Sequence, residues 1–324
     1  MTRLEWKPTA EIRTLQLRAA LLETARAYFR SEGVMEVETP VLGHATVTDV
    51  HLASLHTRIA GHGEFYLQTS PEYAMKRLLA TGAGDIYQVA RVFRDAERGA
   101  LHNPEFTLIE WYRRGFDAMA LMQDAARLLE RLLAPHRTLR APDWVTYHEA
   151  VRTHAGLDAT SAPVAELKAC LTAHGIAIPR GLAASDRDGY LDLLVATIVA
   201  PKLGKGGLTF LHDYPASQAA LARLKTDDPT LAERFEIFLE GIELANGFHE
   251  LADSTEQRAR FNADLKLRRA RAMQSPPIDE RLLQALSFGL PDCSGVALGF
   301  DRVVMLAAGA EKIEQVLAFP IERA

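Results

Sequence analysis

Several features that would narrow a function quickly are scarce or missing in this chain of 324 residues. Cysteine occurs twice, at Cys170 and Cys293, too few and too far apart for a disulfide framework or a thiolate zinc site. Two reduced, packed thiols are expected instead. The 11 histidines form no HxH or HExxH pattern, so a histidine metal site is not expected either. No stretch approaches the ~18 uninterrupted apolar residues of a membrane span. The N-terminal MTRLEWKPTAEIRT is charged and lacks the apolar centre of a signal peptide. A soluble protein of the cytoplasm, with no membrane partner, is therefore expected. No long basic run appears, and 37 Lys and Arg face 42 Asp and Glu. That near balance argues against a protein held on nucleic acid mainly by counterion release. The phosphate-loop pattern GxxxxGK[ST] is absent, so KLGKGG at 202–207 reads as a plain flexible loop. No Rossmann fingerprint, internal repeat or low-complexity segment is present.

What the sequence does contain is a succession of helical and extended patterns. Ile12, Leu15, Ala19, Leu22, Ala25 or Arg26, and Phe29 recur at helical spacing across 10–31, and Gly33 ends the run. VMEVETPVL comes next as an extended segment, with Pro40 at an edge or strand end. Strand patterns then dominate at 51–59, 64–68, 86–94 and 106–113, before a helix over 118–133. Residues 135–205 are mixed, with helical stretches near 164–174 and 188–200. Strands return at 207–213 and 234–251, helices near 254–273 and 278–288, and last a glycine-rich strand end running into a helix. Helices interleaved with antiparallel-looking strands predict an α+β fold. The size suits one large domain or two small ones.

Three segments carry the chemistry. Gly33 to Pro40 read GVMEVETP. Arg91 to Arg94 read RVFR, followed one loop later by HNPEFTLIEWYR. Gly295 to Arg302 read GVALGFDR. Arg94 ends a β-branched strand, IYQVARVF, where a rigid element can aim a guanidinium. Arg302 opens the last helix after a glycine-rich turn. In RFEIFLEGIELANGFHEL, alternation puts Phe235, Ile237 and Leu239 on one strand face and Glu236 with Glu240 on the other. Gly241 permits a bulge and Asn246-Gly247 is a turn signal, so Glu236, Glu243 and Glu250 can converge on one cavity from neighbouring extended segments.

In this order the three segments resemble motifs 1, 2 and 3 of class II aminoacyl-tRNA synthetases, in wording like that of lysyl-tRNA synthetases. The resemblance runs from about Trp6 to the C-terminus. It implies a class II catalytic core, an antiparallel sheet flanked by helices, as a single domain over 1–324 with a mixed insertion at about 135–205. Because the motif 1 helix begins near Thr9, no N-terminal OB-fold anticodon-binding domain is expected. That pattern resembles the truncated paralogues that pass a lysine-type amino acid to elongation factor P. The implied reaction is ATP-dependent formation of a β-lysyl or lysyl adenylate, then transfer to a lysine side chain of that protein. A minimal lysyl-tRNA synthetase and an amino-acid-binding regulatory paralogue are the alternatives, and retention of the phosphate arginines and metal carboxylates disfavours the second.

The resemblance assigns residues. Arg94 and Arg302 are the catalytic arginines, on the α- and γ-phosphates, with Arg302 also covering one face of adenine and Phe106 the other. Asp95, Ala96, Asn103, Glu243, Leu244 and Gly299 complete the surroundings of ATP. Glu236 and Glu243 hold Mg²⁺, which takes hard oxygen ligands. Ser70 and Glu72, in LQTSPEYAMK, receive the amino group nearer the carboxylate. Tyr112 and Glu250 receive the distal ammonium, and Ala297 stands where the family has glycine at the pocket wall. Ala96 departs from the FRxE pattern, with Glu97 beside it as a substitute. Motif 1 implies a homodimer, and tRNA is not expected as the acceptor.

Overall fold

The computed structural model describes residues 6–95 and 97–324. Its chain begins with α1 (Ile12–Ser31), β1 (Met35–Glu36), β2 (Leu42–Gly43), β3 (His56–Ile59), β4 (Gly63–Leu67), α2 (Glu72–Ala80), β5 (Ile86–Phe93) and β6 (Glu105–Arg114). It continues through α3 (Ala118–Leu133), β7 (Arg140–Thr146), α4 (Tyr147–Ala155), α5 (Val164–Ala173), α6 (Arg187–Leu194) and β8 (Gly207–Pro215). It closes with β9 (Leu231–Leu239), β10 (Ile242–His249), α7 (Ser254–Ala270), α8 (Glu280–Gly289), β11 (Cys293–Gly299) and α9 (Phe300–Ala308).

Among the described residues, eight strands form one sheet in the order β1-β5-β6-β11-β10-β9-β8-β7, and β2-β4-β3 form a small second sheet. The fold is α+β, as expected, but the large sheet is mixed. Its six inner strands are antiparallel, whereas β1 on β5 and β7 on β8 are parallel pairs at the two edges. Both parallel pairs are joined by long crossovers containing helices, which is what parallel pairing requires. The α1, α3 and α9 helices cover one face, where Phe29, Trp111, Leu128, Phe235, Ile237 and Val304 are buried together. A second core, around Tyr147, Leu167, Tyr190, Leu211 and Phe238, forms where α4 to α6 pack on β8. A third, with Met75, Leu79, Phe261 and Leu286, joins α2, α7 and α8.

Several local expectations are corrected. The turn between β9 and β10 falls at Glu240-Gly241, both with positive φ (53° and 77°), the pairing a tight hairpin turn of this kind requires. Asn246-Gly247 instead stays inside β10, and the bulge falls between Glu243 and Ala245. Gly247 is needed there for space: a Cβ would run into the Phe235 ring and lie 2.9 Å from Val296 Cβ. The strand expected from residue 51 starts at His56, because Arg268 donates to the carbonyls of Asp49 (2.5 Å) and Leu52 (3.1 Å) and holds that stretch in a turn. Helix α2 is hidden behind Ser-Pro-Glu, which reads as a loop but starts the helix at Pro71. The KLGKGG segment is a bonded turn rather than a flexible loop. Gly204 N–H donates to Thr209 Oγ1 (2.9 Å) and Gly206 N–H to Glu240 (3.1 Å), so it cradles a carboxylate of its own chain.

Candidate active site

The face of the sheet opposite α1, α3 and α9 carries the residues of interest, and strand register explains why they meet. Ala297 on β11 lies opposite Glu110 on β6 and Asn246 on β10. Two residues away on β11, Gly295 lies opposite Tyr112 and Phe248. Side chains two apart on a strand share a face, so Glu110 and Tyr112 project together with Gly295 and Ala297. A Cβ on Gly295 would run into the Tyr112 ring and come 2.6 Å from Glu250 Oε1, so glycine is what lets these two approach.

A cavity of about 220 Å³ gathers Arg94, Asn103, Phe106, Glu243, Leu244, Ala297, Gly299 and Arg302. All eight are residues expected around ATP or at the pocket wall. Arg94 leaves the end of β5 with its guanidinium 5.0 Å from the centroid of the Phe106 ring and Nη1 3.4 Å from Glu97. Arg302, in the first turn of α9, donates to the Glu243 carbonyl (2.7 Å) and to His102 Nε2 (2.8 Å). Burial, then the Arg302 charge, lower the His102 pKa, so a neutral ring accepts that bond. The Asn103 side chain is already engaged: it donates to the Glu105 carbonyl (2.6 Å) and accepts from Ile321 N–H (3.0 Å). Asp95 is held through its N–H to the carbonyl of Ala53 (2.8 Å), the residue after Leu52, which lines the cavity, whereas Asp95 itself does not line it. Ala96 lies outside the described residues.

Glu236 and Glu243 come close enough to repel. Burial, followed by the Glu243 charge, pushes Glu236 up to about 7, although Arg234 pairs with it at 2.6 Å. A divalent cation between the two carboxylates would relieve that repulsion, so the pair fits Mg²⁺ shared with phosphate oxygens. Among the described residues no group of three or more His, Cys, Asp or Glu side chains could hold a metal ion by itself.

The residues expected to hold the amino acid are more deeply buried than those expected around ATP. Ser70 donates to Glu110 Oε2 at 2.6 Å and Tyr112 to Glu110 Oε1 at 2.8 Å. Glu72, in the first turn of α2, and Glu250, just after β10, both contact Lys76 Nζ at 2.6 Å. Burial, then repulsion by Glu72, pushes Glu110 up to about 7. Burial raises Glu250 to about 8 despite the opposing pull of Lys76. A larger cavity of about 440 Å³ touches this region only at its outer side, along Ser70 and Glu72.

Four residues of the site escape the sequence reading. Lys76 stands four positions after Glu72, a spacing that signals a helical ion pair once α2 is known. Glu110 shares a strand face with Tyr112 by simple alternation. His102 precedes Asn103 within the motif already singled out. Asn246, read as a turn residue, lines the cavity with Oδ1 buried and without a hydrogen-bond partner among the described residues.

A family described as tRNA synthetases class II (D, K and N) matches residues 4–323. The chain is similar to proteins named elongation factor P–(R)-β-lysine ligase from Salmonella dublin and Salmonella gallinarum, at 47% identity over 327 residues, 98% of each chain. The protein of that name from Salmonella arizonae is 46% identical over the same span.

Proposed function

This chain belongs to the class II tRNA synthetases of the D, K and N group, and from that premise we propose that it is an ATP-dependent ligase for a protein substrate. It activates (R)-β-lysine, or lysine, as an aminoacyl adenylate and transfers the acyl group to a lysine side chain of elongation factor P. One observation carries this reading most directly: a cavity with two guanidiniums, Arg94 and Arg302, and Ala297 in its wall adjoins, through the Ala297–Glu110 pairing, a cluster of three carboxylates, Glu72, Glu110 and Glu250. The first suits a polyphosphate and the second an amino acid with two ammonium groups.

The chemistry is set by those charges. The amino-acid carboxylate attacks the α-phosphorus, an acyl–phosphate bond forms, and pyrophosphate leaves. Two anions must approach, so Arg94 serves at the α-phosphate and Arg302 at the γ-phosphate and over adenine, opposite Phe106. Asp95, Ala96, Asn103, Leu244 and Gly299 surround the nucleotide. Preorganised charge of this kind is worth about a hundredfold or more in rate per contact. Glu236 and Glu243 would hold Mg²⁺, which would supply charge neutralisation for the phosphates. Ser70 and Glu72 take the amino group nearer the carboxylate, Glu250 and Tyr112 the distal one, and Ala297 forms the wall between pocket and nucleotide. In the second step the neutral ε-amine of the acceptor attacks the acyl carbon, an amide forms and AMP leaves.

We read the chain as one catalytic domain with an insertion at about 135–205, acting as a homodimer in the cytoplasm. Among the described residues no helix is long and apolar enough to cross a membrane. Amino-acid-dependent ATP–pyrophosphate exchange tests the first step. Arg94→Ala is expected to slow it by at least about a hundredfold, and an unchanged rate would remove Arg94 from the mechanism.

A further inference from the structure

Lys76 is 1% exposed, and its ammonium touches Glu72 Oε1 and Glu250 Oε2, each at 2.6 Å. These carboxylates come from different elements, one from the start of α2 and the other from the strand segment after β10. Under the proposed function they are also the two that receive the substrate's ammonium groups, and the role inferred for Lys76 rests on that reading. A single internal cation therefore ties together both ends of the recognition apparatus. It also neutralises one of the three carboxylates in the pocket and leaves two, Glu110 being held by Ser70 and Tyr112.

We propose that Lys76 is a specificity-determining residue, an internal ruler that fixes the separation of Glu72 and Glu250 and so the spacing of the two ammonium groups the pocket accepts. In 3,6-diaminohexanoate the ammonium groups are one bond closer together than in 2,6-diaminohexanoate. Two carboxylates drawn onto one ammonium favour the shorter spacing. The charge left over favours two ammonium groups over one, because a buried carboxylate without a cation is heavily penalised. Burial alone would lower the Lys76 pKa, but Glu250 and Glu72 outweigh it and hold it above the ordinary value, so the ruler stays charged.

The test is calorimetric binding without ATP, on wild type, Lys76→Arg and Lys76→Met, using 3,6-diaminohexanoate, 2,6-diaminohexanoate and 2-aminohexanoate. Lys76→Arg keeps the charge but holds the carboxylates on a wider, forked group. It should move the ratio of the two diamino-acid affinities at least tenfold towards the 2,6-compound while still rejecting the monoamine. Lys76→Met should reduce the preference for two ammonium groups over one at least tenfold. Should Lys76→Met fail to fold, since it leaves two carboxylates buried without their cation, Lys76→Arg decides alone. Ratios within threefold of wild type in folded Lys76→Arg would overturn the inference and make Lys76 a purely structural ion pair. Selective binding without pyrophosphate exchange in the wild type would count against the ligase reading while supporting the ruler.

Discussion

Ala297 shows how much one methyl group can decide at the residue scale. Its backbone lies between Glu110 and Asn246 in the sheet, in the wall of the cavity that holds Arg94 and Arg302. In the proposed reading, replacing it with glycine opens space beside the substrate's carboxylate and nearer amine. Ala297→Gly should raise kcat/KM for lysine relative to β-lysine by some ten- to two-hundredfold, the scale of single-methylene discrimination. An unchanged ratio in a folded, active variant would place the selectivity elsewhere. The carboxylates give a second expectation. Glu110 and Glu250 stand at about 7 and about 8 against an ordinary value of 4.5. Acids raised in this way bind more protons folded than unfolded, so they destabilise the ligand-free protein increasingly as pH rises from about 5 to about 8. A diamino acid stays cationic across that window and favours the ionised carboxylates. Its Kd should tighten between pH 6 and pH 8, by up to about tenfold per pH unit for each proton released, and a flat profile would contradict the assignment. Most of these residues are legible because they sit in motifs with fixed wording. Lys76 and Glu110 are not, since a buried lysine looks in sequence like a solvated one and only packing shows its partners.

Elements are legible where a single face is buried and obscure where local signals compete. Helix α3 matches its expected bounds because its apolar stripe is continuous and Asp117 caps it by accepting from Ala120 N–H at 2.7 Å. The β9–β10 hairpin is misread from sequence because Asn246-Gly247 is a stronger turn signal than Glu240-Gly241, and close packing of Phe235 on Gly247 overrides it. The α1 stripe is half right. Ala25 and Phe29 are fully buried, but Ile12 is 64% exposed and Ala19 is also exposed, while Leu21 and Tyr28 are buried in their place. The periodic signal thus mixes a face turned to the core with one turned outward. Met35 and Val41 are exposed as well, and the proposed homodimer would cover this outward face. Light scattering at micromolar concentration should give a dimer mass, and Ile12→Glu should weaken the dimer by about tenfold or more. A monomeric wild type would contradict the dimer.

At the scale of the molecule, the mixed sheet separates two jobs. Its helix-covered face holds the main core, and its other face gathers the β6, β10 and β11 side chains of the candidate site. The α+β class is readable from interleaved patterns, whereas the parallel pairing of the two edge strands is not, because β1 is only two residues of the extended segment VMEVETPVL and β7 falls in the stretch read only as mixed. In the proposed reading, adenylate formation uses this sheet face together with Glu72 of α2, Arg94 beyond β5 and Arg302 of α9, but the identity of the acceptor depends on the surface around it, which no motif in the sequence describes. The central claim is that the acceptor is a protein lysine. Intact-mass spectrometry of elongation factor P, after incubation with this protein, ATP, Mg²⁺ and (R)-β-lysine, tests it most directly. The expected result is a gain of one β-lysyl group on a single lysine, dependent on ATP and lost in Arg94→Ala. Unmodified elongation factor P, alongside efficient charging of lysine tRNA by the same preparation, would contradict the claim.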